Sequence, residues 1–152
     1  MQRHYVENLM LLEQQNLHIY YLDETSISLW VRQNKSWTGL EEPVVLPLQP
    51  TRGKSRTIIG AFCNWRQPHV ITQVCDRTNS VNVISFLRKL IAYQRERNIN
   101  LRHVVVITDN HPCHKSELTQ TFLVNSGLRM LYLPKYSCVL SPIERFWAML
   151  KN

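Results

Sequence analysis

The sequence predicts an α/β fold in which helices cover a central sheet of mixed strand directions. Helix-like and strand-like segments alternate along the 152 residues, a pattern typical of this layered class. One segment, residues 103–108, is a nearly continuous apolar run, as expected for a strand that is buried on both faces of a sheet. The length suits one domain with a single core, and 44% hydrophobic and 19% charged residues are ordinary proportions for a folded protein.

The first elements precede a long polar connection. An apolar stripe at helical spacing predicts a helix over residues 1–16. The branched and aromatic residues at 18–23 predict the first strand, which ends at an aspartate. Residues 25–56 contain three prolines and two glycines, so we expect a long connection with at most short strands, of a length that is usually functional.

The same patterns locate the remaining elements. Strands are predicted at 57–64 and 70–76, as a hairpin, and at 103–108 and 128–133, and helices are predicted from Asn79, from Lys115 to a stop at Gly127, and from Ser141. This order, with five strands and a long connection after the first, is the one expected of a ribonuclease-H-like domain. The pattern alone leaves that fold as one option among several, and a fold does not fix a function.

The charge balance is consistent with a polyanionic partner. Lys and Arg number 18 against 11 Asp and Glu, which gives a net charge of +7, although many small basic proteins bind no polyanion. Within the long connection, Arg52, Lys54 and Arg56 follow Trp37, and cations near an aromatic ring suit contacts to phosphates and bases. A solvated loop has a similar composition.

Disulfide, zinc and membrane classes are disfavoured. The four cysteines form no C-x-x-C pair, which argues against a disulfide scaffold and a zinc ribbon. His111, Cys113 and His114 are potential zinc ligands, but such adjacent donors cannot easily reach one tetrahedral ion. No apolar run approaches the roughly 18 residues of a membrane span, and the N-terminus lacks a secretory signal. We therefore expect a cytosolic or nuclear protein that does not bind membranes.

Three acidic residues stand where they could share a site. Asp23 and Asp109 each follow an apolar strand, and carboxylates at the ends of core strands can converge in a cleft beside the sheet. Each could equally be an ordinary strand-end or helix-capping residue. Glu144 has a stronger local alternative, because Ser141, Pro142 and Glu144 form a capping-box pattern at the start of the last helix.

Together, the three acidic residues favour metal-ion chemistry. Clustered carboxylates repel one another unless a cation neutralises them, and Mg²⁺ prefers oxygen ligands. Two such ions about 4 Å apart can activate an attacking oxygen and stabilise a leaving oxygen at a phosphodiester. The sequence contains no Ser-His-Asp or Cys-His arrangement with a recognisable local signature, and no glycine-rich phosphate loop.

Several ordered segments resemble the signature blocks of mariner-like transposases and their bacterial insertion-sequence relatives. Thirty-four residues lie between Asp109 and Glu144, a spacing typical of a main branch of that superfamily. The matching segments are L-D-E-T at 22–25, R-T-I-I-G-A at 56–61, T-D-N-H-P-C-H-K-S at 108–116 and L-P-K-Y-S-C-V-L-S-P-I-E-R-F-W-A-M-L-K at 133–151. The resemblance implies a ribonuclease-H-like catalytic domain over 17–152 that cleaves DNA and transfers its strands.

The resemblance also implies roles for individual residues. Asp23 would bridge two Mg²⁺ ions, for which Mn²⁺ can substitute, while Asp109 completes one metal site and Glu144 the other. Asn110 would orient Asp109, and His114 would support the site or pack as a hydrogen-bonded residue. DNA contacts are implied for the long connection, at Trp37, Arg52, Lys54 and Arg56.

Partners and domain organisation follow from the same resemblance. The implied partners are double-stranded DNA, as transposon ends and target, and a second copy of the full-length protein. The implied location is the nucleus of a eukaryote or the nucleoid of a bacterium. Residues 1–16 would be a helix or a linker to a DNA-binding region that this sequence lacks, and we expect a truncated C-terminus.

Departures from the family pattern leave a second class of function open. His111, Cys138 and Ser141 replace residues that are more usual in relatives, but no implied metal ligand is lost. The alternative is a decayed or host-adopted remnant that binds DNA or a protein partner without cutting. Another nuclease of the same fold is a third possibility, which the ordered segments disfavour.

Overall fold

A five-stranded sheet forms the centre of the computed structural model, which describes residues 2–28, 55–64, 67–134 and 141–151. The strands are β1 (His18–Ser28), β2 (Ser55–Cys63), β3 (His69–Cys75), β4 (Val104–Thr108) and β5 (Arg129–Tyr132). Their order across the sheet is β3-β2-β1-β4-β5. β1, β2 and β3 are joined by antiparallel pairing, whereas β4 is parallel to β1 and β5 is parallel to β4. The predicted mixed five-stranded sheet is therefore confirmed.

The described residues also form five helices and one 3₁₀ turn, Leu101–His103. The helices are α1 (Gln2–Gln14), α2 (Ser80–Glu96), α3 (Pro112–Lys115), α4 (Glu117–Ser126) and α5 (Ile143–Lys151). The predicted caps are present: the Asn79 side chain accepts a hydrogen bond from the Asn82 N–H, and Gly127 ends α4 with φ 71°, a conformation that favours glycine. No helix in the described ranges is long and apolar enough to cross a membrane.

Three predicted boundaries were wrong. β1 runs on to Ser28 because it pairs with β2 as far as Ser55, so both ends of the predicted connection 25–56 are strand. The helix predicted from about Lys115 begins at Glu117, and the short helix α3 before it was not predicted. Ser116 separates the two helices, because it is extended and its hydroxyl accepts a hydrogen bond from the Thr119 N–H to start α4. The last helix begins at Ile143 rather than at Ser141.

The alternation of side chains along β1 divides the core into two layers. Tyr20 and Leu22 face one cluster of buried residues, which includes the apolar stripe of α2 and Leu123 of α4. Ile19 and Tyr21 face the other cluster, which includes Ile143 and Trp147 of α5 and is covered in part by α1. Successive strand residues point to opposite faces, so Asp23 is expected on the α5 face and Glu24 on the α2 face.

Candidate active site

Asp23 lies within β1, and Asp109 directly follows the neighbouring parallel strand β4. β1 and β4 pair with Tyr21 opposite Ile107, and continuing that register by two residues sets Asp23 opposite Asp109. Neighbouring strands are about 4.8 Å apart, so the two carboxylates start from backbone positions that can share one ligand. The order of the strands thus puts side by side two segments whose acidic residues are 86 positions apart in the sequence.

Helix α5 packs against Asp23 through Trp147. The indole Nε1 of Trp147 donates a 3.0 Å hydrogen bond to Asp23 Oδ2. Gly60 lies opposite Asp23 on β2, and a Cβ atom at Gly60 would stand only 2.6 Å from Cη2 of the indole. Glycine at this position therefore allows the indole to lie close to the sheet. Glu144 precedes Trp147 by three residues, which puts both on the same side of α5.

The carboxyl group of Asp23 is held in an environment that disfavours its charge. Burial, first, and then repulsion by Glu144 and Glu24 raise the pKa of Asp23 to about 6, against the lowering effect of hydrogen bonds from the Glu24 backbone and Trp147. The repulsion indicates that Glu144, although exposed, lies close enough to Asp23 for their charges to interact. A cation bound beside these carboxylates would relieve that repulsion.

Asp109 is fixed by its own loop and contacted by a buried histidine. The His111 N–H donates a 3.0 Å hydrogen bond to Asp109 Oδ1, while 54% of the Asp109 side chain is exposed. Nε2 of His114 lies 3.4 Å from that same Oδ1 and 3.3 Å from Oε1 of Glu24. Because His114 is completely buried, it cannot itself contact a substrate on the surface.

Asn110 ties the loop after β4 to the end of β5. Its Nδ2 donates a 2.5 Å hydrogen bond to the Leu133 carbonyl, and its Oδ1 accepts one of 2.5 Å from Lys115. Among the described residues, these are the side-chain hydrogen bonds of Asn110. Any effect on Asp109 would therefore pass through the backbone of the loop.

Comparison with known proteins identifies the family. A family model described as the DDE superfamily endonuclease matches residues 18–152. The chain belongs to this family. The predicted membership of the mariner-like and insertion-sequence transposases is confirmed, as is the ribonuclease-H-like fold.

A protein of known sequence and two solved structures show the extent of the similarity. The chain is 30% identical over 138 residues to the insertion element IS630 uncharacterized 39 kDa protein of Shigella sonnei, covering 88% of this chain and 38% of that protein. The Mos1 transposase paired-end complex with the left transposon end matches with a TM-score of 0.68 at 21% identity, over 99% of this chain and 47% of that one.

The second structure is a retroviral integrase. The HTLV-2 integrase catalytic core domain in complex with magnesium matches with a TM-score of 0.56 at 16% identity, over 90% of this chain and 68% of that one. At these identities the two structures establish the shared fold. The chain spans less than half the length of the IS630 protein and of Mos1 transposase.

The residues predicted to contact DNA are only partly described. Trp37, Arg52 and Lys54 lie outside the described residues. Arg56 lies on β2, where 48% of its side chain is exposed and its guanidinium is paired with Asp76. It is four residues along the strand from Gly60, a separation of about 13 Å at the usual rise per residue.

The local alternative for Glu144 was a capping box. In the described structure, the Glu144 N–H is bonded to the Ser141 carbonyl at 3.3 Å, and α5 begins at Ile143. Among the described hydrogen bonds, none joins the Ser141 hydroxyl to Glu144. The exposed Glu144 side chain is thus compatible with a ligand role beside Asp23.

Sequence reasoning missed three contributors to this site: Glu24, Gly60 and Trp147. Glu24 follows Asp23 directly, and the alternation of strand residues could have placed it behind the site. The position of Trp147 three residues after Glu144 could have placed it beside Asp23. Gly60 could not have been found, because its requirement arises from contact between distant parts of the chain.

A different set of potential metal ligands lies behind Asp109. Ligand atoms of Glu24, Cys113 and His114 all lie within 4.8 Å of one another. Burial, together with the charges of Glu24 and Asp109, raises the pKa of Cys113 to about 11. With one sulfur, one nitrogen and one oxygen donor, this set suits a softer ion such as zinc. The carboxylates Asp23, Asp109 and Glu144 are oxygen donors and fit Mg²⁺ or Mn²⁺ better.

Proposed function

We propose that this chain is the catalytic part of a DNA transposase, which cleaves phosphodiester bonds and transfers strands at transposon ends with the help of divalent cations. The observation that carries the proposal is the register of β1 and β4, whose continuation by two residues would put Asp109 opposite Asp23. Repulsion by Glu144, which contributes to the raised pKa of Asp23, supports a place for Glu144 in the same site. Membership of the DDE superfamily endonuclease family supports the same chemistry. We assign Asp23, Asp109 and Glu144 as the metal ligands.

The donor set of the site supports two Mg²⁺ ions. Three carboxylates on rigid elements supply oxygen ligands, and burial with repulsion already raises the pKa of Asp23 to about 6. Bound cations supply the activation of an attacking oxygen and the stabilisation of the leaving oxygen. The HTLV-2 integrase catalytic core, which has the same fold, was solved in complex with magnesium.

The chain's own residues would hold the metal-binding carboxylates in fixed orientations. Trp147 holds one oxygen of Asp23, and the His111 N–H holds one oxygen of Asp109, so that neither carboxylate rotates freely. Water and then a DNA 3′-hydroxyl would be the attacking groups, and in-line placement of these groups is the main contribution that a protein makes to such reactions.

The proposed partner is double-stranded DNA, bound as transposon ends and as target by a homodimer of the full-length protein. The net charge of +7 favours binding to the phosphate backbone. Mos1, which has the same fold, was solved with a transposon end in a paired-end complex. We propose Trp37, Arg52, Lys54 and Arg56 as contacts along the DNA.

A plasmid-nicking assay with matched variants tests the proposal. We expect conversion of supercoiled to nicked plasmid in Mn²⁺ or Mg²⁺, its loss in EDTA, and a fall of at least about a hundredfold in Asp109→Asn and Glu144→Gln, since each removes a metal ligand. Glu117→Gln is the control, because Glu117 is also an exposed glutamate in the first turn of a helix.

Two outcomes would contradict the proposal. Nicking that persists in Asp109→Asn would show that the activity comes from elsewhere. A folded wild-type chain that binds plasmid but does not nick it in either metal would favour the non-catalytic remnant.

A further inference from the structure

We infer that His114 and Glu24 are positioning residues that hold Asp109 in place for cation binding. The inference rests on the proposed metal-dependent function and extends it to two side chains behind the three acidic residues. It assigns to His114 an action through Asp109 rather than a contact with DNA.

The side chains of Glu24, His114 and Asp109 lie in a row that reaches the surface at Asp109. Oε1 of Glu24, Nε2 of His114 and Oδ1 of Asp109 follow one another at separations of 3.3 and 3.4 Å. The exposed fraction of the side chain rises from 0% for His114 and 11% for Glu24 to 54% for Asp109. One imidazole nitrogen therefore lies between a carboxylate in the interior and a carboxylate at the proposed metal site.

Buried polar atoms of His114 and Glu24 form no hydrogen bonds with other parts of the described structure. Both ring nitrogens of His114 and Oε1 of Glu24 are buried without a full hydrogen bond to any described residue. Buried polar atoms are nearly always paired, and the exceptions call for an explanation such as a catalytic role. If His114 served packing alone, an apolar residue would fill the position without that cost.

The backbone of His114 is held firmly, which a positioning role requires. Its carbonyl oxygen accepts hydrogen bonds from Gln120 Nε2 at 2.9 Å and from the Tyr132 hydroxyl at 3.0 Å. The carbonyl of the preceding residue, Cys113, accepts one from Thr119 at 2.7 Å. α3 is thereby fastened to α4 and β5, and the imidazole has a defined place against Asp109.

The arrangement of β1 explains why two adjacent acidic residues are present. Strand alternation puts Asp23 on the α5 face and Glu24 on the α2 face, where the Glu24 side chain contacts His114. Asp23 is then one ligand of the proposed site, and Glu24 supports the ligand on the next strand through His114. Outer partners of this kind orient metal ligands, and their loss weakens metal binding.

The inference is tested by measuring Mn²⁺ affinity of the chain, with electron paramagnetic resonance of the unbound ion as the readout. We expect His114→Leu to bind Mn²⁺ about 10- to 100-fold more weakly than wild type, the usual effect of removing an outer partner. His114→Gln, which returns an N–H near the position of Nε2, should recover most of that loss. Glu24→Gln should weaken binding in the same direction. His103→Leu is the control, because it makes the same substitution at an exposed histidine before β4 and should leave the affinity unchanged.

Each result decides between specific possibilities. Wild-type Mn²⁺ affinity in His114→Leu, whether or not nicking falls, would overturn the inference and leave the proposed function standing. No Mn²⁺ binding by the wild-type chain would overturn both. Zinc that copurifies with the wild type and is lost in Cys113→Ser would show instead that Glu24, Cys113 and His114 form a metal site. If His114→Leu does not fold, Glu24→Gln still decides, since it should bind Mn²⁺ more weakly than His103→Leu, and equal affinities would overturn the inference.

Discussion

Replacing Gly60 by alanine should destabilise the chain by a clash with Trp147. The added Cβ would lie 2.6 Å from Cη2 and 2.9 Å from Cζ2 of the indole, and 3.4 Å from Cδ1 of Ile143. Carbon atoms prefer separations of about 3.5–4.0 Å, so the indole must move by roughly 1 Å. Overpacking of this kind costs about 1–3 kcal/mol. Because alanine in a strand is about 0.5–1 kcal/mol better than glycine, the net loss should lie between about 0 and 2.5 kcal/mol, near its upper end for so close a contact.

The assay is urea unfolding of Gly60→Ala in the wild-type and Trp147→Phe backgrounds. Phenylalanine lacks the atoms that the new Cβ would meet, so the cost of Gly60→Ala should fall by about 1 kcal/mol in that background. Gly127→Ala is the control: nothing lies within 4 Å of its Cβ, and its cost comes from a φ of 71° that does not depend on Trp147. An equal cost of Gly60→Ala in both backgrounds would refute the packing explanation.

Two further predictions concern the Asp23 carboxyl group and the core. The pKa of Asp23, raised to about 6 in the folded chain, means that the folded state holds an extra proton between about pH 4 and 6. The free energy of unfolding in EDTA should therefore fall as the pH rises from about 4 to 6, by at most about 3 kcal/mol. The fall should be absent in Asp23→Asn, and urea-unfolding free energies that change with pH in parallel for the two proteins would contradict the prediction. Leu90→Ala removes a completely buried side chain and should lower the free energy of unfolding by about 2–5 kcal/mol. Leu118→Ala, at a side chain that is 54% exposed, should change it by no more than about 0.5 kcal/mol. Similar shifts of the melting temperature in both variants would be evidence against the assigned core.

The sequence predicted the elements of this fold more reliably than their ends. The nearly continuous apolar run at 103–108 could be recognised because a strand buried on both faces needs few polar residues. The extension of β1 to Ser28 could not be predicted, since it depends on pairing with β2, which follows far along the chain. The break between α3 and α4 depends on the extended backbone of Ser116. The spacing of apolar residues does not reveal a single extended residue between two helices.

The candidate site likewise contains residues that could be predicted from the sequence and residues that could not. Asp109 could be proposed from its position after an apolar strand, because strand ends gather at one edge of a sheet. The same reason was given for Asp23, but Asp23 lies within β1, which continues to Ser28. The partners of those carboxylates required the structure. Trp147 carries the pattern of a core residue and also bonds Asp23, while the burial of His114 between two carboxylates follows from the packing of α3 against the sheet.

The central claim is that Asp23, Asp109 and Glu144 bind divalent cations together, and anomalous scattering from crystals of the chain soaked in Mn²⁺ tests it most directly. We expect one or two anomalous peaks among the three carboxylates, with Asp23 contacting each, and their loss in Asp109→Asn. An accessible, well-ordered site without a peak at high Mn²⁺, or a peak confined to Glu24 and His114, would contradict the claim.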